Sequence, residues 1–340
     1  MASKIESVQS VLAERHEAEV DADGKRDIKY VFAFKNLDWE AYHRFRPVYP
    51  ESMWKQWFDY HRNHGGAFEI AHDAGCGPGT AATAIGPHFK MVFVSDAGAS
   101  NLATAEASLK PREKFTFHRI PAEKTAEWLS PASVDFTSIC MAFHYMESAA
   151  TVRAVAQTLK PGGTFAAVTY GFRLLFPGQL RAEELWYKTT SRATLRLMSE
   201  GKLFPAATRG LARAMTGLDF VAFPSNLFEE GVRRTYINVT KDEKRPLYFV
   251  DNDPSLWEEA PTFVSPTDVL EYVQDAAWGR RADVAWLRGF LASSQMGFDE
   301  KTWASEEWKE LEAIVCSGPN GTIEVEWPVA MTLATRKKEA

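Results

Sequence analysis

Two carboxylates and a run of small residues are spaced to hold a cationic, sugar-bearing ligand. Asp73-Ala74-Gly75-Cys76-Gly77-Pro78-Gly79-Thr80 sets an acid directly ahead of three glycines. Asp96 follows at the spacing, about twenty residues, at which an acid can accept both hydroxyls of a ribose. Glycines in such a loop let the backbone turn sharply and approach a ligand closely. An acid ahead of them suits a cationic or amine-bearing ligand better than a pyrophosphate. The dinucleotide fingerprint Gly-x-Gly-x-x-Gly is not met, because Gly75-Cys76-Gly77-Pro78-Gly79-Thr80 misplaces the third glycine. Taken singly, the loop can be a structural turn and Asp96 a helix N-cap.

Alternating strands and helices must position these residues. Residues 68–75 form a short buried strand that runs into the glycine loop, and Thr80–Ile85 an Ala-rich helix. Further strands are expected at 91–96, 115–120, 134–140 and 164–170, with helices at 100–109 and 151–159. Nearly continuous apolar runs, rather than alternating ones, indicate a parallel sheet covered on both faces. An open sheet of this kind binds ligands at the carboxyl ends of its strands, where the loop lies. Beyond Tyr170 an aromatic-rich helical stretch extends to 229 and reads as a lid. A strand follows at 233–239. Ser265-Pro266-Thr267-Asp268 caps an expected helix through Trp278, with Pro266 at its first position. Helices are expected from 283 to 312, and one long final strand at 321–333. The division is therefore an N-terminal arm (1–28), a ligand-binding α/β core (29–170), a helical lid (171–229) and a C-terminal part of the same sheet (230–340).

Composition excludes several classes. A net charge of −6 with no basic stretch beyond Arg336-Lys337-Lys338 argues against a nucleic-acid partner. The three cysteines, Cys76, Cys140 and Cys316, fit neither a zinc site nor a disulfide framework, so no metal is expected and a reducing, cytoplasmic setting is. No apolar window reaches membrane-spanning length. A monomer or homodimer is expected.

Four segments, in order, resemble the motifs of class I S-adenosylmethionine-dependent methyltransferases. Asp73–Thr80 resembles their motif I and Val94-Ser95-Asp96 their ribose-binding acidic loop. Ala122-Glu123 resembles the pair that lines the adenine, and Leu159-Lys160-Pro161-Gly162-Gly163-Thr164-Phe165 the turn before strand five. A narrower resemblance, to the fungal trans-aconitate methyltransferase-like group, rests on Tyr42 with Arg46-Pro47-Val48-Tyr49-Pro50, on Met141-Ala142-Phe143-His144-Tyr145 and on Ile323–Trp327. Here Tyr145 stands where that group usually has Trp, and Pro121 where many relatives carry a polar adenine contact.

The resemblance implies a doubly wound, mostly parallel seven-stranded sheet with a helical lid. It implies methyl transfer from S-adenosyl-L-methionine to a small-molecule acceptor, a carboxylate, hydroxyl or amine of the kind met in secondary metabolism. It also implies roles. Asp73 and the backbone of Gly75, Cys76 and Gly77 hold the methionine portion, and Asp96 holds the ribose with Ala97 beside the adenine. Ala122 and Glu123 line the adenine, Met141 and Ala142 lie under the sulfonium, and Tyr42 and Arg46 approach the methionyl carboxylate.

His144, after strand four, is the candidate catalytic residue. It can take a proton from an acceptor hydroxyl or amine, orient the acceptor, or satisfy a buried hydrogen bond. Arg173, Arg181, Arg192 and Arg196 of the lid can recognise an anionic acceptor or form a solvated helix face. The same loop would serve an enzyme that keeps the cofactor and rearranges or cyclises a natural product. Incubation with labelled cofactor separates the two.

Overall fold

The computed structural model describes residues 38–200, 205–239, 247, 260–294 and 298–338. The expected N-terminal arm, 1–28, lies outside these residues. Two helices lead in, α1 (Trp39–Phe45) and α2 (Glu51–Asn63), separated by Arg46-Pro47-Val48-Tyr49-Pro50. Pro50 stands ahead of the first residue of α2 in an extended conformation, which costs the helix no hydrogen bond.

The core then alternates: β1 (Ile70–Ala74), α3 (Thr80–Ile85), β2 (Met91–Asp96), α4 (Ala99–Ser108), β3 (Phe115–Arg119), β4 (Val134–Cys140), α5 (Ser148–Thr158) and β5 (Leu159–Tyr170). Two lid helices follow, α6 (Leu180–Ser199) and α7 (Pro205–Met215), then β6 (Arg233–Ile237), β7 (Val269–Val273) and β8 (Gly279–Ala282). The chain closes with α8 (Val284–Ala292), α9 (Glu300–Trp303), α10 (Glu306–Ser317), β9 (Ile323–Glu326) and β10 (Val329–Thr335).

One sheet of eight strands runs β3-β2-β1-β4-β5-β10-β6-β7, parallel throughout except for β10. The chain winds from β1 outward to β3, then restarts on the other side with β4. The switch point thus falls between β1 and β4, and a crevice opens at their carboxyl ends. Residues of β4 and β5 alternate between two apolar layers. Phe136, Ala166 and Val168 face Trp57, Phe89 and α2, whereas Ile139, Phe165 and Ala167 face Val152, Val155 and the lid's Leu218 and Phe220. Phe136 is fully buried, with the rings of Trp57, Phe58, His61 and Phe89 at 5.4 to 6.1 Å. Such pairs add about 0.5–1.5 kcal/mol each beyond area burial, so the strand that ends beneath the crevice is held rigidly.

Two expectations are corrected. The helix expected from Ser265 to Trp278 is instead the eighth strand, β7, followed by a short 3-10 turn at Ala276–Trp278. Val269-Leu270-Glu271-Tyr272-Val273 is rich in strand-favouring side chains, and β6 offers a free edge that it pairs in register from Arg233–Val269 to Ile237–Val273. Ser265–Asp268 caps a turn, Asp268 accepting from the Ser265 N–H at 3.0 Å. The long final strand is two strands in different sheets. Pro328 has no N–H to give to a ladder; β9 pairs with β8 before it and β10 with β5 and β6 after it.

The lid is tied down at several points. Arg213 of α7 donates to the Met146 carbonyl at 2.7 Å, and the Trp186 indole of α6 to the Phe172 carbonyl at 2.8 Å. Gly210 lets α7 lie directly on Tyr145, since a Cβ there would meet its ring at 2.6 Å. Arg234, 2% exposed, pairs with Asp268 at 2.7 Å and donates to the carbonyls of Leu218 and Val221, joining the lid's end to β6.

Candidate active site

A single cavity at the switch point gathers residues from the ends of β1, β2, β4 and β5, from the turn after β3 and from α1. Counting its open mouth it encloses about 1230 Å³. All twelve residues singled out for the cofactor line it: Tyr42, Arg46, Asp73, Gly75, Cys76, Gly77, Asp96, Ala97, Ala122, Glu123, Met141 and Ala142.

The glycine loop has the backbone this requires. Gly75 and Gly77 have φ of +70° and +54°, which non-glycine residues adopt only at a cost. A Cβ at Gly75 would meet Ala142 at 2.9 Å and Met146 at 2.7 Å, so glycine keeps the loop against the segment after β4. Asp73, 1% exposed, accepts from the Ala82 N–H at 3.0 Å and from the Ser138 hydroxyl at 2.9 Å. It therefore braces β1 to α3 and β4 while it borders the cavity. Burial pushes its carboxyl up to about 7, against the lowering pull of those two bonds, with Asp96 adding to the rise.

Asp96 does two jobs. One oxygen accepts from Gly98 N–H at 2.8 Å and Asn101 Nδ2 at 3.0 Å, serving the start of α4. The other accepts from Gly77 N–H at 2.9 Å, locking the glycine loop to the end of β2. Glu123 uses Oε1 to accept from the Glu147 N–H at 2.7 Å, and its buried Oε2 has no hydrogen-bond partner. That orphan acceptor suits an amino group at this end of the cavity. Met141 sits at φ +53°, its sulfur 3.1 Å from the Tyr170 N–H. A non-glycine residue held left-handed marks a place where surrounding structure over-determines the backbone.

Across the cavity lies Arg46, 6% exposed. Its guanidinium donates to the Ser293 hydroxyl at 2.9 Å and the Ser293 carbonyl at 2.8 Å, and lies over the rings of Tyr42, Phe172 and Phe290 at 4.9 to 5.6 Å. Tyr170 and Tyr145 are its electrostatic neighbours, and burial pushes both phenols up, so they stay neutral. No carboxylate pairs with Arg46 among the described residues. A buried, charged guanidinium without a counter-ion invites an anion.

His144 is not on the cavity wall. Its ring is buried beside that of Tyr145, with centroids 4.1 Å apart, and its Nδ1 has no hydrogen-bond partner. Burial, with Arg46 and Arg213 nearby, lowers it to about 3. Tyr145, next in sequence, takes the wall position instead. The lid arginines also lie elsewhere. Arg181 pairs with Glu184 and Glu310, Arg192 with Glu307, and Arg196 with Glu200 and Asp299, bracing α6 to the C-terminal helices. Arg173 stacks on Tyr187 at 5.8 Å.

The sequence reading overlooked Trp39, His43, Tyr49 and Tyr170 as wall residues. Three of these carried a signal. Tyr42 and Arg46 lie four apart on a helix, and continuing their face reaches Trp39 and His43; Tyr49 lies within the quoted Arg46–Pro50 segment. Tyr170 was identifiable only as the last residue of a strand.

Comparison with known proteins agrees with this geometry. Residues 72–167 match the family described as a methyltransferase domain. A methyltransferase of Claviceps purpurea is 29% identical over 310 residues, covering 90% of this chain and 94% of its own. The methyltransferases tpcM of Aspergillus fumigatus and gedG of Aspergillus terreus are 28% and 27% identical, each over 90% of this chain and 94% and 93% of their own. A solved structure from Anaeromyxobacter dehalogenans, described as a type II methyltransferase, shares the fold with a TM-score of 0.54 at 20% identity, over 87% of this chain and all of its own.

Fold, site and relatives together mark a methyltransferase enzyme that uses S-adenosylmethionine. More particularly, the chain is an enzyme related to fungal methyltransferases, and it methylates a small molecule. Among the described residues no helix is long and apolar enough to cross a membrane, and no cluster of side chains could hold a metal ion.

Proposed function

We propose that the cavity's charge pattern seats S-adenosylmethionine in one orientation and leaves the Tyr145–Tyr170 side for the acceptor. The observation that carries this is the segregation of charge. Asp73, Asp96 and Glu123 line the cavity with Arg46, which has no acidic partner. A zwitterionic ligand with a cationic centre, a ribose and an adenine amine complements that arrangement. Asp96 takes the ribose beside Ala97. Glu123 Oε2 takes the adenine amine over Ala122. Asp73 and the Gly75–Gly77 backbone hold the methionine portion above Met141 and Ala142, and Arg46 with Tyr42 takes its carboxylate. When bound, the cofactor supplies a methyl group already activated on a cationic sulfur.

The chain's own task is then to align the acceptor and exclude water, which can supply roughly 7–11 kcal/mol in favourable cases. The aromatic wall of Tyr49, Tyr145 and Tyr170 suits a flat or apolar acceptor, with the lid helices behind it. His144 supports Tyr145 from behind. We place the chain near the trans-aconitate methyltransferase-like group on the strength of Tyr42 with Arg46-Pro47-Val48-Tyr49-Pro50, of Met141–Tyr145 and of Ile323–Trp327, and assign residues 171–229 as the lid over a core of 29–170 completed by 230–340.

Two measurements test the reading. Incubating the enzyme with trideuteromethyl cofactor and a fungal metabolite extract should add the label to a small molecule. A conversion without label would favour rearrangement instead. Replacing Arg46 with Lys keeps the charge but loses the two-pronged geometry. Cofactor affinity, read by calorimetry, should fall about tenfold, the weight of one good charge-assisted bond. Unchanged affinity would remove Arg46 from the cofactor's carboxylate.

A further inference from the structure

Building on the proposed methyl transfer, we propose that His43 is the catalytic proton acceptor and that the acceptor group is a hydroxyl. Helix α1 turns one face to the cavity, formed by Trp39, Tyr42, His43 and Arg46 at the spacing i, i+3, i+4, i+7. Its two ends are fixed. Trp39 lies over the glycine loop, its ring 3.7 Å from where a Cβ on Gly77 would stand, and Arg46 is bonded to Ser293. Phe45 is seated directly against Gly289 of α8, where a Cβ would meet its ring at 2.3 Å. His43 is carried between these anchors, from the cofactor loop toward the tyrosine-lined side.

The other candidates for a base are committed elsewhere. Asp73 and Asp96 accept backbone and side-chain hydrogen bonds that hold the loop together, and Glu123 belongs to the adenine end. Tyr145 and Tyr170 are held neutral by burial, and His144 lies off the wall. His43 is the one imidazole on this wall among the described residues. Its ring meets Tyr42 edge-on at 6.2 Å and has no hydrogen-bond partner among those residues. Partial burial lowers its pKa from the ordinary histidine value, which favours the neutral, proton-accepting ring.

The acceptor oxygen gives its proton to the free imidazole nitrogen and forms the new O–CH₃ bond. The C–S bond breaks with its electron pair left on sulfur, which becomes a neutral thioether. The half-exposed imidazolium then returns its proton to water, a route closed to the buried His144. A carboxylate acceptor, already ionised, would need no such base.

The test uses the whole chain, trideuteromethyl cofactor and the fungal extract described above, comparing wild type with His43→Gln. The labelled product should resist mild alkaline hydrolysis, as an ether does. Its initial rate should drop about 100-fold or more in the variant, as loss of a general base does. Titration with S-adenosylhomocysteine should give the same Kd for both proteins, showing that the variant is folded and its cofactor end intact. A variant rate near that of wild type, a loss of S-adenosylhomocysteine binding, or label released as methanol by alkali would each overturn the proposal. A wild type that labels nothing would strike instead at methyl transfer itself.

Discussion

Asp96→Asn should abolish useful cofactor binding, with a loss of about 3–6 kcal/mol, or roughly 100- to 20,000-fold in Kd. Donors converge on both oxygens of this carboxylate: Gly77 N–H on one, Gly98 N–H and Asn101 Nδ2 on the other. An amide has only one oxygen, so whichever way it turns, its NH₂ faces another donor. Either the glycine loop is released from β2 or the first turn of α4 is. The ribose also loses a charged acceptor. Calorimetric titration with S-adenosylhomocysteine reads the effect. Because the damage is confined to the loop or to one helical turn, the far-ultraviolet circular dichroism should be close to that of wild type. Retained micromolar binding would mean that Asp96 serves only the helix it starts.

Asp73→Asn should weaken the cofactor by about 1.5–3 kcal/mol without destabilising the fold at alkaline pH. Asn reproduces both bonds, its oxygen accepting from Ala82 N–H and its NH₂ donating to the Ser138 hydroxyl. The charge alone is removed. The wild-type carboxyl is raised to about 7, chiefly by burial. A carboxyl raised above its unfolded value, near 3.9, contributes stability that is full below that value and is lost as pH rises through about 7. Wild type should therefore lose stability from this group between about pH 4 and 7, whereas the variant should not. At pH 8, set above both values, the melting temperature of the variant should equal or exceed that of wild type. Cofactor affinity should move the other way. The charged carboxylate favours a cationic ligand, so wild-type binding should strengthen from pH 6 to pH 8 on either side of the raised value, and the slope should vanish in the variant. A variant that melts earlier at pH 8 would make Asp73 a structural brace first.

Legibility in the sequence followed the range of the forces involved. The order of β1 to β5 was readable because each strand is a short apolar run bounded by its own turn, and Asp73 and Asp96 are tied to strand ends by local chain geometry. Residue 144 was not readable in the same way. Three residues form the turn after β4, and which of them faces the cavity depends on α7 pressing Gly210 against Tyr145, a contact from more than 60 residues away. β7 was misread because Ser265-Pro266-Thr267-Asp268 is a sound helix start in isolation, whereas the free edge of β6 that recruits Val269–Val273 is a tertiary fact. The break at Pro328 was legible and passed over: a proline inside a strand pattern marks an edge or an interruption. The role of Arg46 was half legible, its spacing from Tyr42 being visible and its lack of an acidic partner not.

The most direct measurement is a crystal structure with S-adenosylhomocysteine bound. Its ribose should lie within hydrogen-bond distance of the Asp96 carboxylate, its adenine amine at Glu123, and its amino-acid carboxylate at Arg46. A ligand bound in the reverse sense, or a cavity closed by its own side chains beside Asp73 and Asp96, would contradict it.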